Sequence, residues 1–364
     1  MNKKILFVLH LPPPVHGSSM VGQFIKDSTL INSNFDSKYI NLSTSKTVDE
    51  IGKKPFVKIT RYIKILGAFF IGLIKFKPDT IYLAINAKGI GFYKDFPIAL
   101  LTKLFGVKLV LHYHNKGISK IQDCFLDNLL YKFLFRNTKI ILLSKSLFTD
   151  VKKYVKEENV FYCPNGIPQV MLPKRISLKN DEIAQLLFLS NLIESKGVFV
   201  LLEALKLLKT QGIKFQCNLV GGEGDISSNE LEEKLEDLNL TDCVFYLGKK
   251  YGKDKYKIFQ KSDVFILPTY YHNECFPLVL LEAMQFGLPI ISTNEGGLAD
   301  IVENNETGFI VEKQNPTQLA VKITWLIKNT TKAKAMGEKG RDKFYKKYTI
   351  EFFEQRFIEI LNQI

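Results

Sequence analysis

Two glutamates near the start of one predicted helix are the side chains of this sequence best placed to do chemistry. Glu274 lies in the loop after the apolar run Val264–Leu267, and Glu282 lies over a turn into a helix that begins near Pro277. A helix N-terminus offers free N–H groups and the positive end of a dipole, which suit a phosphate. A carboxylate such as Glu282 can accept hydrogen bonds from a ribose diol. The segment is therefore a candidate nucleotide site; the alternative is that Glu274 caps the helix and Glu282 is solvated.

Short apolar runs alternate with helical patterns along the whole chain of 364 residues, which is too long for one hydrophobic core. Near-continuous apolar strands between helices predict parallel sheets covered on both faces, and two such series predict two doubly wound α/β domains. The predicted strands are Ile5–Leu9, Thr80–Ile85, Lys108–Leu111, Ile140–Leu143, Leu186–Leu189, Cys217–Val220, Val244–Leu247, Val264–Leu267 and Pro289–Ser292.

The domain boundary is predicted in Pro168–Asp181, where Pro, Lys, Asn and Ser cluster and the periodicity lapses. We therefore predict an N-terminal domain over 1–170 and a C-terminal domain over 171–345. The tail, 346–364, is apolar at helical spacing and is expected to dock back on the first domain.

Both halves open with a buried strand, a polar loop containing glycine and then a helix. The two loops are Pro12–Ser19 and Ser190–Gly197. Because ligands of open α/β sheets bind at the carboxyl ends of the strands, we expect both loops on one interdomain cleft. The alternative for either loop alone is that it merely turns the chain.

An ordered series of motifs resembles a known family. The motifs are Ser190-Asn-Leu, Ser195-Lys-Gly197, Leu219-Val-Gly-Gly-Glu-Gly-Asp225, Glu274-Cys-Phe-Pro-Leu-Val-Leu-Leu-Glu282, Glu295-Gly-Gly297 and Thr307-Gly-Phe-Ile-Val311. Together they resemble the retaining nucleotide-sugar glycosyltransferases of family 4, of the bacterial polysaccharide-assembly type. The resemblance covers essentially all of the second half and implies the GT-B fold, in which two Rossmann-like domains face a cleft. The first half is a weaker but compatible match.

The resemblance implies a role for each matching residue of the second half. Glu282 would hold the donor ribose, Glu274 would lie against the donor sugar, and Lys196 would neutralise the diphosphate. Phe276 and Leu278 would line the donor pocket, partly through backbone groups. These roles make Glu274 and Lys196 the candidate catalytic residues of this half.

In the first half, the resemblance implies that the loop at Gly17 and Ser18 closes over the phosphates. It also implies that His114 lies near the reacting sugar, although His112 competes for that assignment. His16 and His272 are expected to be structural or at the edge of the substrate.

One position departs from the family pattern. Asn191 stands where many members carry a basic residue that partners the lysine at the diphosphate. Asparagine donates hydrogen bonds but supplies no charge. We therefore expect Lys196 and the helix N-terminus to stabilise more of the leaving group, or another cation to substitute.

The expected reaction needs neither a metal nor a cofactor. No two aspartates are separated by a single residue, and there is no His/Cys cluster, so a metal motif is lacking. The family implies retention of anomeric configuration by front-face attack, with a covalent intermediate on Glu274 as the alternative. We expect UDP as the nucleotide, with GDP second.

The charge balance points to an anionic partner. Lys and Arg total 50 against 37 acids, giving a net charge of +13. Residues 52–78 carry seven basic side chains, no acid and interleaved aromatics, which suits an anionic membrane surface and a polyprenyl-diphosphate-linked or glycan acceptor. Apolar runs too short to span a bilayer and scattered cysteines predict a cytoplasmic protein, peripheral on the inner face of the membrane.

Other function classes fit less well. The non-enzymatic alternative is a basic nucleic-acid-binding or membrane-binding protein. No recognised nucleic-acid-binding module is present, so no nucleic-acid partner is expected. A dinucleotide-dependent oxidoreductase lacks Gly-x-Gly-x-x-Gly after the first strand. A sugar-nucleotide epimerase or a sugar phosphorylase on the same fold remains the nearest enzymatic alternative.

Overall fold

The computed structural model describes residues 2–44, 55–170 and 183–364, without the side chains of 55–57. The chain forms two compact units. Unit 1 comprises Met1–Gly166 and Ile350–Ile364, and unit 2 comprises Ile167–Thr349. Most of the predicted boundary segment, and Lys53 and Lys54 of the basic segment, lie outside the described residues.

Unit 1 is built on a six-stranded, all-parallel sheet in the order β2-β1-β3-β4-β5-β6. Its strands are β1 (Lys4–Leu9), β2 (Asp36–Asn41), β3 (Thr80–Leu83), β4 (Lys108–Tyr113), β5 (Lys139–Leu142) and β6 (Val160–Tyr162). Its helices before the second unit are α1 (Gly17–Asp27), α2 (Thr29–Asn34), α3 (Pro55–Phe76), α4 (Gly89–Leu104), α5 (Ile118–Ile121), α6 (Phe125–Phe135) and α7 (Phe148–Val151).

Unit 2 repeats this architecture in the order β12-β11-β10-β7-β8-β9, again all parallel. Its strands are β7 (Ala184–Leu189), β8 (Phe215–Val220), β9 (Val244–Tyr246), β10 (Val264–Leu267), β11 (Ile290–Thr293) and β12 (Gly308–Val311). Its helices are α8 (Val198–Thr210), α9 (Ser228–Asp237), α10 (Gly252–Lys261), α11 (Leu278–Gln285), α12 (Leu298–Ile301), α13 (Pro316–Lys328) and α14 (Thr330–Lys347).

The C-terminal helix α15 (Ile350–Gln363) packs on unit 1. The ring of Phe357 lies 5.3 Å from that of Tyr82 and 6.3 Å from that of Phe7. The Lys3 ammonium donates to the Leu361 carbonyl at 2.8 Å. Burial of the apolar side of α15 therefore completes the core beneath β1 and β3.

The prediction of two Rossmann-like α/β domains is confirmed, and the errors concern sheet edges. The strands that it omitted, β2, β6 and β12, all lie at an edge of their sheet. β2 reads Asp-Ser-Lys-Tyr-Ile-Asn and β6 has three residues, so neither shows the apolar run of a central strand.

Helix α4 begins at Gly89, and Pro97 lies inside it. A proline inside a helix costs about 3 kcal/mol because it removes a backbone hydrogen bond. Tertiary packing offsets that cost, since the first half of α4 buries Phe92 against Tyr131, with ring centroids 4.7 Å apart.

None of the helices in the described part of the chain combines the length and the apolar character needed to cross a bilayer.

Candidate active site

The strand order of unit 2 reverses direction between β7 and β10. Loops that leave the carboxyl ends of two such strands diverge to opposite sides and open a crevice for a ligand. The loop after β7 carries Asn191 and Lys196, and the loop after β10 carries Glu274. The topology therefore brings the three predicted residues to the switch point of this sheet.

Backbone contacts hold the two loops together. The Ser195 carbonyl accepts hydrogen bonds from the Tyr270 N–H at 2.8 Å and from the Thr269 hydroxyl at 3.2 Å. Gly197 has φ +88°, and a Cβ there would lie 2.3 Å from the Pro268 carbonyl oxygen. Only glycine fits this left-handed turn against the neighbouring loop, so the direction of Lys196 is set by the backbone.

Lys196 and Glu274 form an ion pair, in which the lysine ammonium donates to the carboxylate. Their side chains are 15% and 9% exposed, so both charges are largely withdrawn from water. The ammonium also lies 4.7 Å from the centroid of the Tyr271 ring. This pair is a preformed cation and carboxylate at the switch point, and it brings together the two candidate catalytic residues of the second half.

The loop after β11 packs against the backbone of Glu274 and Cys275. Gly296 has φ +58°, and a Cβ there would lie 2.1 Å from the Glu274 carbonyl oxygen. The Gly297 N–H donates to the Cys275 carbonyl at 2.7 Å. The Glu295-Gly-Gly297 motif thus serves to let one backbone approach another closely.

Glu282, the residue predicted to bind the donor ribose, has an ion-pair partner that the sequence analysis did not identify. Its Oε1 accepts from the Lys255 ammonium of α10 at 2.5 Å, and its Oε2 is buried without a hydrogen-bond partner among the described residues. Burial raises the pKa of Glu282, and the Lys255 cation opposes that rise. Because the two residues lie on different helices, 27 positions apart, no local spacing in the sequence could reveal the pair.

The start of α11 differs from the prediction by one residue. Pro277 is the N-cap with φ −69° and ψ 125°, and Leu278 is the first helical residue. No side chain in the described part of the chain caps this helix, so its first N–H groups point out of the N-terminus. The Phe276 ring is buried, with its centroid 5.7 Å from that of Tyr348, which leaves mainly its backbone to meet a ligand.

The exposed Asn191 accepts a hydrogen bond from the Gly222 N–H at 3.3 Å through its side-chain oxygen. The stem of Lys249 lies across Gly222, because a Cβ on this glycine would be 2.0 Å from the lysine Cε. A cation therefore stands beside the loop in which Asn191 replaces a basic residue. Sequence reasoning did not single out Lys249.

Unit 1 has its own switch point, between β1 and β3. His10 follows β1 and Asn86 follows β3, with His10 Nε2 and Asn86 Nδ2 3.5 Å apart. Asn86 in turn donates from its N–H and its amide to the buried Asp95, at 3.0 and 2.8 Å. Burial raises the pKa of Asp95. The sequence prediction missed this Asp95-Asn86-His10 network.

Gly17 and Ser18 lie in the first turn of α1, not in a loop as predicted. His16 is the N-cap: its ring accepts from the Ser19 N–H, and its backbone N–H donates to the Ser19 hydroxyl at 2.9 Å. The Ser18 hydroxyl lies 3.0 Å from His16 Nδ1. Histidine is not among the residue types typical of an N-cap, and glycine is a weak helix former. The sequence therefore did not indicate that a helix begins here.

Of the two competing histidines of β4 and its end, His112 is fully buried and hydrogen-bonded to the Tyr82 hydroxyl at 2.7 Å. His114 is partly exposed, with its ring centroid 4.2 Å from that of His112. Burial, reinforced by His16, lowers the pKa of His114 to about 4. His114 is therefore neutral at pH 7, and of the two it is the one that solvent reaches.

The lowered pKa of His114 predicts a loss of stability in mild acid. The unfolded state, with a histidine pKa near 6.5, takes up a proton that the folded state excludes until pH 4, so stability falls as pH falls. Between pH 7 and pH 5 this one group costs about 2 kcal/mol. Urea unfolding at the two pH values should show that the wild type loses about 2 kcal/mol more than His114→Gln; equal losses would contradict the prediction.

Within the described residues, no three His, Cys, Asp or Glu side chains cluster as they would around a metal ion. Metal independence stays a prediction.

Comparison with known proteins finds a family match in the second unit. Residues 173–343 match the family model "Glycosyl transferases group 1", and this range covers nearly the whole of unit 2. Unit 2 is similar to the group 1 glycosyltransferases over most of its length. The Lys196–Glu274 pair lies within the matched range.

Similar curated proteins include glycosyltransferases of microbes. The chain is 27% identical over 257 residues to an uncharacterized glycosyltransferase of Methanocaldococcus jannaschii, covering 70% of this chain and 68% of that protein. It is 31% identical over 156 residues to the amylovoran biosynthesis glycosyltransferase AmsK of Erwinia amylovora, covering 41% and 38%. With the capsular polysaccharide biosynthesis glycosyltransferase CapM of Staphylococcus aureus it shares 25% identity, covering 63% and 62%. The alignments therefore span between 38% and 68% of these relatives.

Solved structures match the fold over the whole length of the chain. Anabaena HepE in complex with UDP and glucose matches with a TM-score of 0.74 at 18% identity, covering 100% of both chains. The sucrose-phosphate synthase of Thermosynechococcus elongatus matches with a TM-score of 0.76 at 18% identity, covering 100% of this chain and 99% of that one. The GT-B fold class is confirmed by these likenesses.

Proposed function

We propose that this protein transfers a sugar from a nucleoside-diphosphate sugar, UDP ahead of GDP, to a glycan or a polyprenyl-diphosphate-linked acceptor. The observation that carries the proposal is the Lys196–Glu274 ion pair at the switch point of unit 2, which is similar to the group 1 glycosyltransferases. Retention of anomeric configuration and independence of metal ions are part of the proposal.

The donor is assigned to unit 2. Glu282 accepts from the ribose hydroxyls, and the uncapped start of α11 donates to the diphosphate. Lys196 supplies one cation, and Lys249 supplies the second that Asn191 does not. HepE crystallised with UDP and with UDP-glucose, which supports a uridine nucleotide.

The chemistry follows from the leaving group. The diphosphate gains negative charge as the glycosidic bond breaks, and a cation already fixed in a largely dry site stabilises that charge without reorganisation. Glu274, whose lysine partner turns to the leaving diphosphate, then lies near the sugar that is transferred to the acceptor. In unit 1 we assign the neutral His114 and the first turn of α1, with Gly17 and Ser18, to substrate binding.

The pathway is proposed from the relatives. AmsK, CapM and a putative glycosyltransferase of Salmonella typhimurium are named for the biosynthesis of amylovoran, capsular polysaccharide and colanic acid. We place the chain in cell-surface polysaccharide biosynthesis, on the cytoplasmic face of the cell membrane, with a lipid-linked acceptor.

A donor panel tests the proposed function. The purified protein is incubated with UDP- and GDP-sugars and polyprenyl-diphosphate glycans, and the product linkage is read by NMR. We expect transfer from one donor and full activity in EDTA. We also expect that the new glycosidic bond has the same anomeric configuration as the donor. Conversion of the donor without an acceptor would indicate an epimerase, and a requirement for inorganic phosphate would indicate a phosphorylase.

A further inference from the structure

Three helices of unit 1 lie side by side on one face of the sheet. α3, α4 and α6 precede the adjacent strands β3, β4 and β5, and right-handed crossovers place such helices on the same face. Phe70 of α3 contacts Phe105 after α4, and Phe96 of α4 contacts Phe133 of α6, with ring centroids 5.8 and 5.9 Å apart. We call the outer surface of these helices the three-helix face.

The three-helix face is unusually apolar. Of the 22 exposed large hydrophobic side chains among the described residues, thirteen lie on it. Ile90 is 88% exposed, Phe125 84% and Ile63 61%. The others are Ile59, Phe70, Ile71, Ile74, Tyr93, Leu104, Phe105, Leu126, Leu129 and Phe133. A concentration of this size on a folded domain marks an interaction surface.

The three helices themselves expose cations and no acid. The sequence of α3 contains no acid, and the single acids of α4 and α6, Asp95 and Asp127, are buried. Asp127 accepts from the Tyr93 hydroxyl at 2.9 Å, so its charge is used inside the domain. The exposed cations are Lys64 and Lys75 of α3, Lys132 of α6 and Arg136 directly after α6. The exposed Asp123, two residues before α6, forms an ion pair with Lys153 at 2.9 Å.

We propose that the three-helix face docks on an anionic lipid bilayer, with the apolar row of α6 inserted among the acyl chains and the cations at the headgroups. Phe125, Leu129 and Phe133 are spaced at four-residue intervals and therefore form one row along the exposed side of α6. Aromatic and aliphatic side chains bounded by Lys and Arg are the composition of an interfacial helix.

The charge distribution favours a bilayer over a second copy of the chain. A symmetric dimer through this face would bring the same cations of both copies together, with no exposed acid on the three helices to pair with them. The phosphates of anionic lipids supply the missing negative charge.

The inference deepens the proposed function, on which it rests for its purpose: it names the surface that brings the transferase to a lipid-linked acceptor. It also extends the sequence-based expectation of a basic segment over 52–78 to two further helices. The outward side of α3 is mainly apolar, and α4 and α6, which lie outside that segment, supply most of the remaining apolar surface.

Flotation of the full-length protein with vesicles tests the inference. One set of vesicles contains phosphatidylcholine with 30 mol% phosphatidylglycerol, and the other contains phosphatidylcholine alone. Phe125→Ser/Leu129→Ser is compared with Phe245→Ser/Val321→Ser, which changes exposed apolar residues of unit 2. Thermal melting and UDP binding check that each variant is folded.

We expect the wild type and the unit 2 variant to float with anionic vesicles, and the α6 variant to bind at least tenfold more weakly while UDP binding is unchanged. Equal flotation of both variants would overturn the inference. So would a wild-type dimer in light scattering that the α6 variant converts to a monomer, because the occupant would then be a second copy. Failure of the proposed function is a separate result, loss of UDP binding and transfer in vesicle-free assays.

Discussion

Glu282→Ala is expected to weaken UDP binding about 100-fold or more. Two hydroxyls of a ribose can donate to this carboxylate, and hydrogen bonds to a charged group contribute about 1.5–3 kcal/mol each. The buried Oε2 has no partner among the described residues, so its capacity to accept a hydrogen bond is unused. Calorimetric titration with UDP, GDP and NAD⁺ measures the effect.

The matched control is Glu232→Ala, which removes an exposed glutamate of α9 in the same unit. UDP should bind this control as it binds the wild type. If Glu282→Ala binds UDP unchanged, or if only NAD⁺ binds to the wild type, the ribose site lies elsewhere and α11 is scaffold.

Lys255→Met refines the first prediction. Removing the cation lets the pKa of Glu282, which burial already raises, rise further. The carboxyl group of the variant then takes up a proton at a higher pH than that of the wild type, and a protonated carboxyl accepts hydrogen bonds less well. UDP affinity of the variant should therefore fall more steeply than that of the wild type between pH 8 and pH 5.5; parallel profiles would show that Lys255 does not act through Glu282.

The central strands of both sheets could be predicted because strands buried on both faces are apolar throughout. β10 has the predicted bounds, Val264–Leu267, and the other central strands differ at their ends by one or two residues. An edge strand such as β2 has a neighbouring strand along one edge only, and it carries polar residues. The continuous apolar pattern that identifies a central strand is therefore lost.

Proximity at the candidate site was predictable only where topology determines it. Lys196 and Glu274 meet because the carboxyl ends of β7 and β10 are adjacent, and the motifs already placed both residues in the two loops. Lys255 meets Glu282 through the packing of two helices, and the row on α6 is exposed because of how the three helices pack. Such helix positions depend on tertiary packing, which the local periodicity of a sequence does not indicate.

Lys196→Met is expected to lower the rate of sugar transfer about 100- to 1000-fold, while the KM for the donor rises much less. The reason is that the cation acts on charge that develops in the transition state, where fixed electrostatic groups contribute most. UDP release in the presence of acceptor measures kcat and KM separately. Lys206→Met, which removes an exposed lysine of α8, is the control and should keep full activity.

The same substitution has a distinct effect on stability, and the two effects separate a catalytic from a structural role. Lys196→Met leaves the buried Glu274 carboxylate without its cation, which costs about 3–5 kcal/mol of the free energy of unfolding. Lys196→Met/Glu274→Gln removes both charges and should recover most of that loss in urea unfolding. Transfer should stay at least 100-fold below the wild type in the double variant, because the cation that faces the leaving diphosphate is still missing. If activity returned together with stability, the pair would hold the two loops in place and would not act on the reaction.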